Sequence, residues 1–309
     1  MNNVQTYLEK YLAYCKHQKQ LDPKTLKAYR IDLTQFEKTG SFSSVSDLTP
    51  EPLEHYIETL HQQYKPKTVK RKIASLKAFV RYLDYKEIIP TNPFHKISVR
   101  FREPVKLPKT IPLNTVELFL STIYRQYREA KTDYQKKNAL RDAAIIELLF
   151  ATGMRISELC MLNTNDINLY DGTILIYGKG RKERRLQIGS TSVIQILREY
   201  KKVFQNRSGH PEPFFINQNG KNISDQAIRR MIHKYSSLAG IQLHITPHMF
   251  RHTFATSLLE ADVDIRYIQE MLGHSSINIT ELYTHVATSK QRDILLAKHP
   301  RKNFHLQTI

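Results

Sequence analysis

One segment in the first third of the chain constrains the fold most strongly: residues 65–86, "KPKTVKRKIASLKAFVRYLDYK". Its apolar residues recur at steps of three and four, which places them on one face of an α-helix. They are Val69, Ile73, Leu76, Val80 and Leu83. Residues 1 to about 103 contain further segments with helical spacing and no convincing strand. The sequence therefore predicts an all-helical N-terminal domain.

A stripe of basic residues accompanies the apolar face of this helix. Lys70, Lys77 and Arg81 are separated by seven and four residues, and at about 100° per residue they line up roughly a right angle away from the apolar face. Such a helix can lie against DNA phosphates or enter a major groove. A lysine stripe is also typical of a solvated helix face, so on this segment alone both interpretations stay open.

A proline-rich segment separates this domain from the rest of the chain. The stretch "REPVKLPKTIPL", residues 102–113, holds three prolines and no helical period, which is typical of an extended linker. We predict a first domain over 1–103, a linker over 104–110 and a second domain over 111–297. Residues 298–309 then form a C-terminal tail.

The second domain is predicted to be mostly helical with a small antiparallel sheet. The stretch "DGTILIYGKGRKERRLQIG" indicates a β-hairpin with strands at 173–177 and 184–188 around a Gly-Lys-Gly turn. The domain begins with a helix, a highly charged polar stretch and a second helix that ends at Gly153. Further helices are predicted around 190–205, 224–239, 247–260, 264–272 and 277–296. The fold class of the whole chain is therefore mainly α.

The charge of the chain limits the kind of partner it can have. It carries 47 Lys+Arg against 29 Asp+Glu, a formal net charge of +18. Residues 1–103 hold 18 basic and 11 acidic side chains, so the excess is not confined to one end. Nucleic acid is the partner this favours, and a membrane surface is the weaker rival.

The number of cysteines and the lengths of the apolar stretches indicate the cellular compartment of the protein. Two cysteines, Cys15 and Cys160, cannot form a disulfide framework or a zinc ribbon, and this fits a reducing cytoplasm. No stretch approaches the length of a transmembrane helix, and the first residues lack the architecture of a signal peptide. We therefore expect a cytoplasmic protein.

The stretch "PHMFRHTFA", residues 247–255, raises three chemical alternatives. His248 and His252 have the four-residue spacing of a zinc-binding helix, but Met249 stands where a metalloprotease needs Glu. Arg251 between them would be a poor neighbour for a metal dication, so we expect no metal and no cofactor. His252 alone is typical of a packing residue. The remaining alternative is a proton-transfer histidine beside an anion-binding arginine.

A set of basic, imidazole and hydroxyl side chains favours that alternative. Two arginines, a lysine and two histidines around one point would stabilise a pentavalent phosphate without a metal. A tyrosine hydroxyl would be the nucleophile, and its phosphodiester would preserve the bond energy for resealing. The set comprises Arg155, Lys179, His248, Arg251, His274 and Tyr283, with Glu158 placed to pair with Arg155. Taken singly, Glu158 fits a weak surface ion pair and Lys179 a solvated turn.

These residues, in this order, resemble the tyrosine recombinase (phage integrase) family. The matching motifs are "ATGMRISEL", "YGKGRKER", "TPHMFRHTFAT", "IQEMLGHSSINIT" and "LYTH". The resemblance implies that the six residues above are catalytic and that Glu158 supports them. It also implies core-site DNA binding by the N-terminal helices, four protomers on two DNA sites and a 3′-phosphotyrosine intermediate formed without ATP. The chain is most similar to simple Xer-type or transposon-type members.

Several questions stay open at this stage. We expect the stretch at 124–140 to be longer than the corresponding region of compact relatives, and it either extends a helix and loop or touches DNA or a neighbouring protomer. The tail either docks on the next protomer or folds back on its own domain. The sequence does not distinguish integration, excision or inversion from Xer-type dimer resolution, and the need for accessory proteins or a second recombinase stays open. Rival functions are a relaxing type IB topoisomerase and a non-catalytic DNA-binding regulator.

Overall fold

The computed structural model describes residues 3–39, 42–99, 101, 108–178, 183–204 and 212–273. The chain divides into two compact units, Met1–Val105 and Lys106–Ile309. The division falls inside the proline-rich segment at 104–110, while the functional limits of the domains stay a prediction. Within the described ranges, no helix is long and apolar enough to cross a membrane.

The described part of the N-terminal unit contains four α-helices and two short 3₁₀ turns, Val45–Asp47 and Pro93–His95. The helices are α1 Val4–His17, α2 Pro23–Glu37, α3 Pro50–Gln63 and α4 Pro66–Tyr85. The described part of this unit contains no β-strand. Its all-helical character is therefore as the sequence predicts.

Local signals explain where these helices begin. Asn3 and Asp22 accept hydrogen bonds from the backbone N–H groups of Gln5 and Lys24, at 2.9 and 2.8 Å, and so cap α1 and α2. Proline at the first helical position begins α2, α3 and α4. Thr49 stands at the N-cap of α3, but its side chain makes no capping bond.

The apolar face of α4 forms the centre of the N-terminal core. All five of its predicted core residues are at most 2 % exposed. One buried polar group also joins α4 to α2: Asp32 accepts hydrogen bonds from Arg71 and, at 2.9 Å, from Ser75. The Nζ of Lys72, also buried, lies 3.7 Å from Asp32 Oδ1 and donates to Gln35. The period of α4 predicts its apolar face but gives no sign of this charged contact.

The C-terminal unit surrounds one central helix with six others and a three-stranded sheet, counted over the described residues. The helices are α5 Leu113–Arg128, α6 Asp133–Thr152, α7 Ile156–Cys160, α8 Thr191–Phe204, α9 Asp225–Leu238, α10 Pro247–Glu260 and α11 Ile265–Leu272. The strands are β1 Ile167–Asn168, β2 Thr173–Tyr177 and β3 Glu183–Gln187, antiparallel in the order β1-β2-β3. The predicted fold class, mainly α with a small antiparallel sheet, is confirmed.

The central helix is α6, whose second half is apolar on nearly every side. Six residues in its second half are at most 1 % exposed: Ala143, Ala144, Ile145, Ile146, Leu148 and Leu149. A helix that is apolar all round must be covered by neighbours, and here α5, α8 and α10 pack against it. Its C-terminal end is consequently fixed in position, and the candidate site begins there.

The structure also refines several boundaries. Residues 124–140 form the end of α5, a short connection and the start of α6, so most of this stretch is helical. β1 was not predicted, and β3 begins at Glu183, one residue before the predicted strand. The predicted helix at 277–296 and the tail at 298–309 lie outside the described residues.

Candidate active site

Gly153 turns the chain out of the central helix and into the candidate site. Its φ is +59°, in the left-handed region that favours glycine. A Cβ atom at this position would also lie 2.4 Å from the ring of Phe254. Glycine therefore lets α6 end against α10, and Arg155 follows two residues later at the N-cap of α7.

Arg155 is fixed by Glu158, one turn further along α7. Its Nη1 donates to Glu158 Oε1 at 2.8 Å, and its backbone N–H donates to Oε2 at 2.9 Å. Only 6 % of the Glu158 side chain is exposed, whereas 35 % of the Arg155 side chain is exposed. Glu158 thus holds the ion pair from the protein interior, while part of the Arg155 side chain is exposed to solvent.

A second arginine, which the sequence did not reveal as part of the site, shares the same carboxylate. Arg184 on β3 donates from Nη1 to Glu158 Oε1 at 3.0 Å and from Nη2 to Oε2 at 2.7 Å. Burial raises the pKa of Glu158, but the hydrogen bonds from Arg184 and Arg155 outweigh it and lower the pKa below its ordinary value. Glu158 is therefore ionised at neutral pH.

Arg251 on α10 joins the ends of two helices. It is only 4 % exposed. Its Nη1 donates to the carbonyl oxygen of Gly153 at 2.8 Å and its Nη2 to that of Leu272 at 2.7 Å. Arg251, the arginine of the stretch "PHMFRHTFA", thus packs where α6 and α11 both end.

The turn after α11 closes the cluster. Gly273 has φ +64° and ends the helix, and its carbonyl oxygen accepts a hydrogen bond from Arg155 Nη2 at 3.4 Å. Arg184 Nε donates to the carbonyl oxygen of Met271 at 2.9 Å. A Cβ on Gly273 would lie 2.9 Å from Arg184 Nη1. Two arginines therefore hold the turn that directly precedes His274 in the sequence.

The two histidines of α10 differ in setting. His248 is exposed, yet partial burial of its ring, then Arg229 and Arg251, lower its pKa below the ordinary value. His252 is half-buried, and burial followed by the charges of His248 and Arg251 lowers its pKa to about 4. Both rings are consequently neutral at pH 7. Arg229 on α9 is a further neighbour that the sequence did not indicate.

Comparison with known families adds to this geometry. Residues 121–290 match the phage integrase family, and residues 8–86 match the phage integrase N-terminal SAM-like domain. The chain belongs to the phage integrase family. The resemblance stated from the motifs is thereby confirmed, and this recombinase catalyses site-specific DNA recombination.

Relatives cover almost the whole chain. A tyrosine recombinase of Agathobacter rectalis is 67 % identical to this recombinase, over 99 % of this chain and 100 % of the relative. The tyrosine recombinase XerC of Oceanobacillus iheyensis is 32 % identical, over 98 % and 99 %. The solved structure of the Tn1549 transposon integrase in complex with transposon right end DNA is 22 % identical, with a TM-score of 0.67 over 96 % of this chain and 100 % of that one. These comparisons do not favour the topoisomerase or the regulator.

The structure brings some predicted site residues together and leaves others outside its described ranges. Hydrogen bonds link Arg155, Glu158 and the turn at Gly273, and Arg251 binds the same turn region at Leu272. The predicted Lys179, His274 and Tyr283 lie outside the described residues. Where the chain is described, no three His, Cys, Asp or Glu side chains cluster as a metal site would require.

The predicted DNA-binding stripe lies on α4 of the N-terminal unit. Lys70 and Arg81 are exposed. Lys77 is half-buried, with its Nζ 5.3 Å from the centre of the Phe94 ring. An aromatic face at this distance attracts an ammonium group, so Lys77 is held in part against its own unit.

Proposed function

We propose that this recombinase cleaves and rejoins DNA through a covalent 3′-phosphotyrosine link formed by Tyr283, without metal or ATP. The observation that carries the proposal is the convergence of Arg155 and Arg251 on the turn that leads to His274. Convergent arginines with neutral histidines nearby suit a transferring phosphoryl group. Tyr283 follows that turn by ten residues in the sequence.

In the proposed cleavage, the hydroxyl oxygen of Tyr283 attacks the scissile phosphorus. A bond forms between phosphorus and the tyrosine oxygen, and the bond from phosphorus to the 5′ oxygen breaks. Arg155 and Arg251 bind the non-bridging oxygens, Lys179 protonates the leaving 5′ oxygen, and His274 supports the transition state. Rejoining reverses the same steps with the 5′ hydroxyl of the partner strand, so no external energy is required.

His248 is the proposed group for the tyrosine proton. Its pKa lies below the ordinary histidine value because of partial burial and the adjacent Arg229. A neutral imidazole at pH 7 can accept the proton of the attacking hydroxyl and return it during rejoining. Glu158 takes no proton in this scheme and serves to hold Arg155.

The proposed partner is duplex DNA with specific recombination sites. The net charge of +18 supports this partner, and the structure of the Tn1549 transposon integrase holds transposon right end DNA. We assign core-site binding to the N-terminal domain, 1–103, with contacts from Lys70, Lys77 and Arg81. The catalytic domain is assigned to 111–297, and the site of action to the cytoplasm.

Four protomers on two DNA sites are the proposed assembly, as the resemblance to the family implies. The tail at 298–309 carries Phe304, Leu306 and Ile309 beyond Pro300, which suits docking on a neighbouring protomer. Deleting 298–309 is expected to weaken tetramer formation on DNA in an electrophoretic mobility assay. Unchanged assembly would instead support a tail that folds back on its own domain.

Covalent trapping on a nicked DNA site tests the central step. The DNA site is first recovered by selection from random DNA. A nick near the cleavage position lets the short fragment that carries the free 5′ hydroxyl diffuse away, so the covalent adduct accumulates. The wild-type protein is expected to give a denaturant-resistant adduct, and Tyr283→Phe is expected to bind DNA without one. An adduct with Tyr283→Phe would exclude this nucleophile, and absence of any wild-type adduct would refute the reaction.

A strand-exchange assay separates the remaining alternatives. Two labelled duplexes that carry the selected site are expected to give recombinant strands. Covalent trapping without exchange would favour the topoisomerase, and DNA binding with neither activity would favour the regulator. The same selected sequence, located in the source genome, distinguishes dimer resolution from integration or excision of a mobile element.

A further inference from the structure

We propose that Arg184 is a positioning residue for DNA cleavage, which holds Glu158, and through it Arg155, in the arrangement that binds the scissile phosphate. The inference rests on the proposed function of Arg155. Only 10 % of the Arg184 side chain is exposed, so it is poorly placed to meet DNA itself. Its action must pass through the groups that it contacts.

The first argument is the way the Glu158 carboxylate is occupied. Each of its two oxygens accepts one hydrogen bond from Arg155 and one from Arg184. Two oxygens offer about four acceptor positions, so the carboxylate is saturated. Removing Arg184 would leave half of these positions empty on a buried carboxylate, which would then turn towards any other donor. Arg155, held by the same carboxylate, would turn with it.

The second argument is that Arg184 fastens a third segment to the same point. Besides its two bonds to Glu158, its Nε donates to the carbonyl oxygen of Met271. Three nitrogens of one planar guanidinium therefore bind two partners from different parts of the chain. The guanidinium group can approach Gly273 closely because glycine has no Cβ: an added Cβ would lie 2.9 Å from Arg184 Nη1. Arg184 thus fixes Arg155 relative to the turn before His274.

The third argument concerns the hairpin itself. Arg184 pairs with Ile176 in the β2–β3 register, next to the strand end from which the chain continues to Lys179. Its neighbour Arg185 is exposed on the opposite face of the strand, as the alternation of a strand requires. The two arginines carry the same charge at adjacent positions, but only Arg184 has a described bond to the Glu158 carboxylate. Arg185 is therefore a matched control.

The variants Arg184→Gln, Arg184→Lys and Arg185→Gln test this role in the full-length protein on the nicked site. We measure the single-turnover rate constant of adduct formation at saturating DNA, the adduct yield and the DNA affinity. Arg184→Gln is expected to lower the rate constant about 100-fold, the effect of a small misplacement of a reacting group. Arg184→Lys is expected to restore little, because an ammonium group cannot grip two carboxylate oxygens at once.

The rate constant and the yield separate positioning from folding. A variant that merely unfolds lowers the adduct yield in proportion to the folded fraction, while its folded molecules react at the wild-type rate. We expect the reverse for Arg184→Gln: near-normal yield and DNA affinity with a slow rate. A wild-type rate constant for Arg184→Gln, or an equal loss for Arg185→Gln, would overturn the proposal.

A double-mutant cycle tests the route through Arg155. If Arg184 acts only by positioning Arg155, removing Arg184 should not slow the reaction further in a protein that already lacks Arg155. The variant Arg155→Gln/Arg184→Gln is then expected to react as slowly as Arg155→Gln alone. Losses that multiply in the double variant would overturn the route. Failure of the proposed function is recognised separately, since the wild-type protein itself would then form no adduct.

Discussion

In each unit of this recombinase a carboxylate lies between two cations, Asp32 in one and Glu158 in the other, but the two clusters are built differently. In the N-terminal unit Asp32 faces Lys72, which is buried, and Arg71, whose side chain is 47 % exposed. In the C-terminal unit Glu158 faces Arg184, which is nearly buried, and the partly exposed Arg155. Each acid thus has one inner and one outer cation.

The difference lies in how completely the acid is satisfied. Glu158 accepts four hydrogen bonds from two guanidinium groups and one backbone N–H. Asp32 Oδ1 has no hydrogen-bond partner, because Lys72 Nζ remains 3.7 Å away. Burial, opposed by Asp32, lowers the pKa of Lys72. A planar fork can satisfy a carboxylate that a single ammonium group cannot, so the catalytic cluster fixes geometry more firmly.

The largest effect is expected for Glu158→Gln, which breaks the catalytic cluster. It leaves Arg184 nearly buried without a counter-ion, and breaking a buried pair in this way costs about 3–5 kcal/mol. Adduct formation is also expected to slow by about 100-fold, since Arg155 loses its support. Thermal unfolding and single-turnover trapping measure the two effects. A variant as stable as the wild type would contradict the account of a saturated carboxylate.

Asp32→Asn is expected to have a smaller effect, confined to stability. The amide oxygen can still accept from Ser75 and Arg71, so the loss is about 1–3 kcal/mol, as for an imperfectly bonded buried group. Unfolding of the N-terminal unit, followed by hydrogen exchange in α2 and α4, measures it. The rate constant of adduct formation at saturating DNA should stay at the wild-type value. A slower rate would mean that the two clusters are coupled.

A pH titration is expected to destabilise the catalytic unit through His252. Its pKa is about 4 in the folded state and about 6.5 in an unfolded chain. The unfolded chain therefore binds more protons as the pH falls from 6.5 towards 4, and stability falls with it. Allowing for partial exposure, we expect a loss of about 1 kcal/mol between pH 7 and 5. The loss should be smaller in His252→Gln, and an equal loss would remove His252 as the cause.

The smallest effect is expected for Lys72→Met. Lys72 makes no hydrogen bond to Asp32, whose contacts with Arg71 and Ser75 remain, and its replacement removes a cation whose burial is unfavourable. The loss of its hydrogen bond to Gln35 opposes this gain, so we expect a change within about 1 kcal/mol in thermal unfolding. The matched change Arg184→Met should be clearly destabilising. Equal effects of the two substitutions would show that the clusters do not differ in the way described.

Periodicity and helix-start signals made most of the fold predictable. The steps of three and four in α4 identify its buried face, and Pro247 marks the first residue of α10. β1 is two residues long, too short for any alternation to be recognised. The charged stretch at 124–140 was hard to interpret because its helices expose polar residues, so the pattern resembled that of a loop.

The candidate site is only partly predictable from the sequence, because some of its contacts join residues that are far apart along the chain. Arg155 and Glu158 are three residues apart, and helix geometry alone makes them neighbours. Arg184 stands in the run "RKERR" at 181–185, where four basic residues look equally solvated. Its contact with Glu158 spans 26 positions and depends on how the sheet packs against α7 and α11. Arg229 was missed similarly, since its proximity to His248 arises from packing between helices.

Arg251 has a further consequence, which concerns the helix dipoles. The C-terminal end of an α-helix carries roughly half a negative charge, and both α6 and α11 end at carbonyl groups that Arg251 binds. Without this cation, an incoming phosphate would meet two negative helix ends. Arg251 therefore cancels a repulsion that the fold itself creates, besides any direct grip on the substrate. Under the proposed function, a neutral residue at 251 would make the site repel the scissile phosphate as well as lose a group that binds it.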